Sequence, residues 1–325
     1  MGREMNDKYF GSCPLCNGSK MKLLFSSLTD FSEFHLVQCQ TCKLTRTFPL
    51  PNDEILHIHD IASYYGRDVN KFNPHVQKLR NHIMRMRAKH YLSLIPDSIQ
   101  PPKILDVGCA EGRLLKSFRE YGCQCWGIEH SSYPAQRFLD SERIVYLQGD
   151  LHTMNLPEGA FDLIFLWHAL EHMDNPHLVM SRLHTLLAPR GTIIVAVPNF
   201  SSMEARRFKQ FWFHLDIPWH KYHFNEKSIR YLITKTHLKI IKMSTLCFEQ
   251  GPYGLLQSTL NAMGWPKNEF YEALKGNMTR RRSIHGIIQL FIGLFLLVPV
   301  SFVSLLTSHG GRGPVLKLIL KKGID

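Results

Sequence analysis

Short apolar runs and amphipathic stretches alternate through the middle of the chain. Val76, Leu79, Ile83, Met86, His90 and Leu94 recur every three to four residues, which predicts an amphipathic helix ending near Pro96. The period then changes. Lys103-Ile-Leu-Asp-Val is a short buried strand running into Gly108-Cys-Ala-Glu-Gly112, followed by a helix from about Arg113 to Tyr121. The same unit repeats as a strand over Cys125 to Ile128, a helix over about Tyr133 to Leu139, and strands over Ile144 to Gln148 and Phe161 to Leu166. A helix over about Pro176 to Leu187 and a strand over Thr192 to Val197 complete it. This alternation specifies an α/β fold, a doubly wound, mostly parallel sheet with helices on both faces, in which ligands bind beyond the carboxyl ends of the strands.

Composition narrows the class. A chain of 325 residues that is 44% apolar and 20% charged is globular rather than disordered. Its 21 Gly and 17 Pro show no period, which excludes a collagen-like chain, and no internal self-similarity points to a solenoid or propeller. Charge is uneven: residues 1–199 carry 21 basic and 20 acidic side chains, residues 200–325 carry 18 and 7. An anionic partner is therefore expected for the C-terminal part, either a membrane surface or a phosphate-bearing substrate, with nucleic acid as the third option.

Met1 to Phe10 has no apolar core of signal-peptide length, so the eight cysteines are expected in a reducing cytosol. Cys13-x2-Cys16 and Cys39-x2-Cys42 form two knuckles separated by 22 residues, a spacing that suits tetrahedral thiolate ligation of a structural zinc. Cys109, Cys123, Cys125 and Cys247 read as small buried residues.

The first strand-to-helix turn is the first candidate site. Gly108 and Gly112 allow close backbone approach, and the next helix points its positive end at the loop. The loop lacks the third glycine of a dinucleotide fingerprint and the lysine of a phosphate-binding loop. Glu129 ends the second strand 21 residues after Gly108, where a carboxylate can accept both hydroxyls of a ribose. Asp150 ends the third strand, placed to accept from an adenine amino group, and Asp106 precedes the loop, placed to orient it or face a cationic ligand.

Together these segments resemble the class I S-adenosylmethionine-dependent methyltransferases. The resemblance covers about residues 75–250 and rests on Ile104-Leu-Asp-Val-Gly-Cys-Ala-Glu-Gly112, Gly127-Ile-Glu129, Gly149-Asp150, Phe161-Asp-Leu-Ile, His168-Ala-Leu-Glu-His172 and Leu187-Ala-Pro-Arg-Gly191. It implies a seven-stranded Rossmann-like sheet, with Asp106, Gly108, Cys109, Ala110 and Gly112 around the methionine moiety, Glu129 on the ribose, and Asp150 with Leu151 on the adenine. Ala110 stands where many members have glycine. A ribbon followed by this domain is similar to a zinc-bearing branch found in cell-envelope glycan and sugar-nucleotide pathways.

Histidines supply the remaining chemistry. His168-x-x-Glu171-His172 matches an inverted zinc-protease pattern, but it follows a parallel strand and shows no third ligand. In a methyltransferase, His168 and His172 would lie near the sulfonium. No Asn-Pro-Pro-aromatic segment follows the fourth strand, which argues against amino methylation of nucleobases. Asp216-Ile-Pro-Trp-His220-Lys-Tyr-His223-Phe is dense in aromatics and histidine and precedes a helix starting near Asn225. It resembles the family's substrate-side segment, and His220 or His223 is the expected base for a hydroxyl acceptor.

Ser283 to Gly311 holds no charged residue, and Arg280-Arg281-Arg282 stands at its entrance. The length of Ile287 to Leu306 suits a bilayer. However, Val315 to Lys322 alternates like a strand, and the family's last strand returns antiparallel between the fifth and the sixth, here Leu238 to Cys247. A membrane-dipping helix or hairpin, bent near Pro299 and inserted between the last two strands, is expected. The predicted organisation is a zinc ribbon (1–50), a polar connector (51–74), the methyltransferase domain (75–250), a helical membrane-associating insertion (251–310) and a final strand (311–325). The expected function is methyl transfer from S-adenosylmethionine to a membrane-proximal acceptor, a lipid-linked or envelope sugar first and a prenylated quinone precursor next. The expected location is the cytoplasmic face of a membrane, held through 284–306. An RNA-binding protein or RNA methylase is the alternative, but the positive charge clusters beside an apolar run, which favours lipid over nucleic acid.

Overall fold

The structure, a computed structural model, describes residues 10–29, 32–51, 55, 74–130, 144–247, 250–274 and 284–323. The expected helix over Tyr133 to Leu139, the connector over 52–73 apart from residue 55, and Arg280 to Arg282 lie outside them. In chain order, β1 (Met21–Leu28), β2 (Glu33–Cys39) and β3 (Thr45–Phe48) precede α1 (Pro74–Leu92). The alternating unit runs through β4 (Lys103–Val107), α2 (Arg113–Glu120), β5 (Gln124–Glu129), β6 (Ile144–Gln148), β7 (Phe161–Trp167), α3 (Pro176–Leu186) and β8 (Leu187–Pro198). Then come α4 (Met203–Phe208), two 3₁₀ turns (Lys209–Phe211 and Phe213–Leu215), β9 (Tyr222–His223), α5 (Glu226–Thr234) and β10 (Leu238–Ser244). Three helices, α6 (Gly251–Ala262), α7 (Glu269–Leu274) and α8 (Ile284–His309), separate β10 from the last strand, β11 (Val315–Lys322).

The large sheet has the order β10-β11-β8-β7-β4-β5-β6. Its strands are parallel except β11, which runs antiparallel to both β8 and β10. The central strands are near-continuous apolar runs because helices cover both faces. Ile104, Leu105, Val107 and Leu163 through Leu166 are wholly buried. Strand β8 begins at Leu187, earlier than its apolar pattern suggests, because Leu187 already pairs with Phe161. Helix α5 begins where Asn225 and Ser228 form a reciprocal capping box.

Two features differ from expectation. Leu79 and Met86, on the apolar side of the pattern in α1, are exposed, and the helix instead turns Ala88 and Tyr91 inward. Small Ala88 permits close approach, Tyr91 packs edge-on against Phe165, and the Arg87 guanidinium lies 3.8 Å from the Trp167 ring centroid. The ribbon, moreover, is not a separate bead. Its sheet has the order β1-β2-β3-β9, so its fourth strand comes from the loop after β8, through the pairs Thr45↔His223 and Arg46↔Tyr222.

The insertion lies between β10 and β11 as expected. Two portions of α8, Ile287–Gly293 and Val298–His309, meet at 59°, just ahead of Pro299. No single described helix is long and apolar enough to cross a membrane, although this bent pair passes that test together.

Candidate functional site

At the carboxyl end of the sheet, the β4 turn builds a cradle from backbone conformations that few side chains adopt. Gly108, Ala110 and Gly112 have φ of 77°, 46° and 62°. A side chain at Gly108 would strike the Ala169 Cβ at 2.6 Å, so the glycine is what lets the β4 and β7 turns touch. Ala110, standing where glycine is common, carries a left-handed backbone at a cost of about 1–2 kcal/mol.

Glu129 is buried at the end of β5 and accepts from the Ala110 N–H at 2.8 Å and the His130 N–H at 2.9 Å. A carboxylate offers about four lone-pair sites, so room remains for two ribose hydroxyls. The Gly149 N–H donates to the Glu129 carbonyl at 2.9 Å, which ties the β6 turn beside it. Asp150 is exposed there and accepts from the His152 N–H at 2.6 Å, while Leu151 is buried. Asp106 is buried, and its carboxyl is pushed up to about 7, by burial first and then by Glu129, with Arg87 opposing. Burial raises the Cys109 thiol well above its ordinary range, so it stays neutral. The sequence-predicted cofactor residues therefore form one rim, and its acids suit the hydroxyls and positive charge of S-adenosylmethionine.

The histidines gather on the adjoining side. His168-x-x-Glu171-His172 sits in the turn after β7, not on a helix, so the protease pattern lacks the helical frame that would align its histidines. His168 has φ of 54°, and its Nδ1–H donates to Glu171 Oε1 at 3.1 Å, leaving a buried Nε2 with no hydrogen-bond partner. Glu171 is wholly buried. Burial alone would raise its carboxyl, but the His168 hydrogen bond and the neighbouring imidazoles of His168, His220 and His172 hold it down to about 2. Its backbone carbonyl accepts from the N–H groups of Lys221 and Tyr222 at 2.9 and 3.1 Å, which clamps the β7 turn to the segment before β9.

That segment brings in the remaining histidines. The His172 Nδ1–H donates to the Trp219 carbonyl at 3.0 Å, and its ring lies 4.7 Å from the His220 ring. Burial lowers His172 and His220 to about 4, and His214 and His223 to about 3, so all four are neutral imidazoles near pH 7. Thr47 Oγ1 of the ribbon donates to the His220 carbonyl at 2.7 Å, and His223 Nε2 lies 3.0 Å from that oxygen. The hydroxyl has a single proton, so His223 donates and its ring is held by the ribbon. Residue patterns missed Thr47, because its partners lie more than 170 residues away. Glu171 was visible within the motif, but nothing there showed that it would be a wholly buried carboxylate among these histidines.

Two pairs of thiols complete the ribbon. Sγ atoms of Cys13 and Cys42 are 3.5 Å apart, those of Cys16 and Cys39 are 3.4 Å apart, and all four cluster within 4.8 Å. Tetrahedral zinc with bonds of about 2.3 Å requires sulfur separations of about 3.8 Å, so the donor set fits that ion. The Cys42 thiol lowers Cys13 to about 5 and is itself raised in return. Cys109, Cys123, Cys125 and Cys247 form no disulfide and are buried, as expected of small apolar residues.

A family model described as a methyltransferase domain matches residues 79–243, about half of the chain. The chain belongs to that methyltransferase family. Among similar proteins, a ubiquinone biosynthesis O-methyltransferase of Vibrio vulnificus is 26% identical over 232 residues, 67% of this chain and 92% of that protein. A probable chloroplastic tocopherol O-methyltransferase of Oryza sativa subsp. japonica is 31% identical over 111 residues, spanning 31% of each chain. The match to a malonyl-[acyl-carrier protein] O-methyltransferase of Enterobacter lignolyticus spans 59% of that protein, so the chain covers less than two thirds of several relatives it matches. Among solved structures, the [4+2]-cyclase SpnF superposes with a TM-score of 0.52 at 16% identity, covering 85% of this methyltransferase chain and 99% of the cyclase. That likeness shows the class I fold alone, because a fold is shared by unrelated activities.

Proposed function

We propose that the protein transfers a methyl group from S-adenosylmethionine to a hydroxyl on a lipid-linked acceptor at a membrane surface. The observation that carries the membrane part is the reversed polarity of α8. Ile287, Ile288, Phe291, Phe295, Val298, Phe302, Val303 and Leu306 are exposed, whereas Gln289, Ser304 and Ser308 are buried. A helix of a water-facing surface does the opposite. Full burial of one such side chain contributes about 1.5–3 kcal/mol, so the outer face suits an in-plane or dipping helix in a lipid surface. The sequence places Arg280-Arg281-Arg282 just before it, where anionic headgroups attract positive charge.

The apolar face is joined to the acceptor side. Helix α6, which α8 packs against, touches the second 3₁₀ turn: the Phe213 N–H donates to Ser258 Oγ at 2.9 Å, and Gly254 lies against the His214 ring. A lipid-linked substrate seated against α8 thus reaches toward the histidine cluster. Two relatives are named for ubiquinone and tocopherol, compounds that partition into membranes, which supports an apolar acceptor. A prenylated quinone precursor and a lipid-linked sugar both present the required hydroxyl.

When bound, S-adenosylmethionine supplies an electrophilic methyl carbon on a sulfonium. The chain's residues do the rest. Glu129 and Asp150 would hold the nucleoside and Asp106 the cationic end, while the Gly108 turn, packed against Ala169, sets His168 beside that cradle. His168, oriented by Glu171, takes the acceptor's proton on Nε2. His220 and His223 shape the acceptor pocket from the ribbon side.

Incubation of the full chain with isotopically methyl-labelled S-adenosylmethionine and extracted membrane lipids tests this. Label is expected in a lipid that gains one CH₂ unit, and its aglycone or headgroup distinguishes quinone from sugar. His168→Ala is expected to lower turnover roughly 10²–10⁴-fold at saturating donor. Label appearing only in RNA, or undiminished turnover in His168→Ala, would contradict the proposal.

A further inference from the structure

Glu171 Oε2 has no hydrogen-bond partner although the side chain is wholly buried. The ligand atoms of Glu171, His172 and His220 lie within 4.8 Å of one another. Two imidazoles and one carboxylate, with Asp216 Oδ2 a further 3.8 Å from His220 Nε2, is the donor chemistry of a transition-metal site. Tetrahedral bonds of about 2.0–2.2 Å bring ligand atoms to roughly 3.4 Å of each other, so side-chain shifts of about an ångström close the three groups on an ion.

The surroundings are those of such a site. His172 donates its Nδ1–H to the Trp219 carbonyl, which fixes Nε2 as the lone-pair nitrogen, and metal-bound histidines are held by the same kind of bond. The double clamp from Lys221 and Tyr222 onto the Glu171 carbonyl holds the two segments in place. Glu171 Oε1 is occupied by His168, so Oε2 is the oxygen left for a cation.

We propose that Glu171, His172 and His220 bind one divalent transition-metal ion, separate from the ribbon's zinc, and that the acceptor's hydroxyl oxygen takes an open position on it. Two imidazole donors favour ions of the zinc, cobalt, manganese or iron(II) type over magnesium or calcium. The catalytic role rests on the methyl-transfer reading above; the binding site does not. A metal-bound hydroxyl loses its proton to His168 Nε2. Its oxygen lone pair then forms the bond to the methyl carbon as the carbon–sulfur pair returns to sulfur, giving a methyl ether and S-adenosylhomocysteine. The ion's contribution is to lower the hydroxyl's pKa.

Co²⁺ is the probe, added to full-length protein whose ribbon already holds zinc. One Co²⁺ per chain is expected, with visible bands of nitrogen and oxygen ligation and without the near-ultraviolet charge transfer of thiolate. Glu171→Gln and His220→Ala are each expected to weaken Co²⁺ at least tenfold, while zinc content and S-adenosylmethionine affinity, which report folding, stay unchanged. No Co²⁺ beyond the ribbon's zinc, or equal affinity in both folded variants, overturns the site. Methyl transfer that proceeds equally with this position emptied by a chelator overturns its catalytic role while leaving the transferase reading intact.

Discussion

At Asp106, burial, Glu129 and Arg87 compete over one proton. The folded value of about 7 lies above that of an unfolded Asp, so the unfolded state binds fewer protons and stability falls as pH rises from about 4 to about 7. A cationic ligand favours the ionised form. S-adenosylmethionine is therefore expected to bind up to about tenfold more tightly at about pH 8 than at about pH 6, and Asp106→Asn should flatten that dependence. Calorimetry across this range checks it, and an equally steep dependence in the variant would refute the assignment. Thr47 touches no substrate in the proposed mechanism, yet it holds His220 and His223. Thr47→Val is expected to lower kcat at least tenfold with donor affinity unchanged, and Thr47→Ser to restore it, since serine keeps the donated proton. Full turnover in Thr47→Val would show that the ribbon contact is incidental.

The parallel strands were legible in the sequence because burial on both faces leaves unbroken apolar runs, and the turn glycines marked where a ligand approaches. Helix α1 shows the limit. Apolar spacing placed Leu79 and Met86 inward, whereas the buried face uses a small residue, an aromatic and the stacked stem of Arg87. Period alone cannot see a cation on a ring. His168-x-x-Glu171-His172 likewise has helical spacing but stands in a turn, because β7 ends just before it. For α8 the apolar length was visible in the chain, and only the packing showed which face is outside. Phe291→Glu, Phe295→Glu and Phe302→Glu together are expected to abolish sedimentation with anionic vesicles while leaving S-adenosylmethionine binding intact. Vesicle binding equal to that of the unaltered chain would overturn the proposed membrane contact.

The whole molecule is organised by contacts between distant segments, which is why its site could be only half foreseen. The donor side is local to β4, β5 and β6 and follows chain order. The acceptor side is not. It needs Thr45↔His223 pairing across the ribbon, the clamp from the β9 segment to Glu171, and α6 against His214, none of which leaves a periodic trace. In the proposed function the ribbon is accordingly a wall of the acceptor site. Cys42→Ser, which breaks its thiolate set, is expected to depress methyl transfer at least tenfold while S-adenosylmethionine still binds. Loss of both together would instead mark the ribbon as a requirement for folding.

Both sides of the proposed site meet at the donor cradle, so calorimetric titration of the full chain with S-adenosylmethionine is the most direct test. One molecule is expected to bind per chain, with binding weakened at least about tenfold, or 1.4 kcal/mol, in Glu129→Ala, where the ribose loses its acceptor. Unchanged affinity in that variant, or no binding by the natural chain, would contradict the proposed cradle.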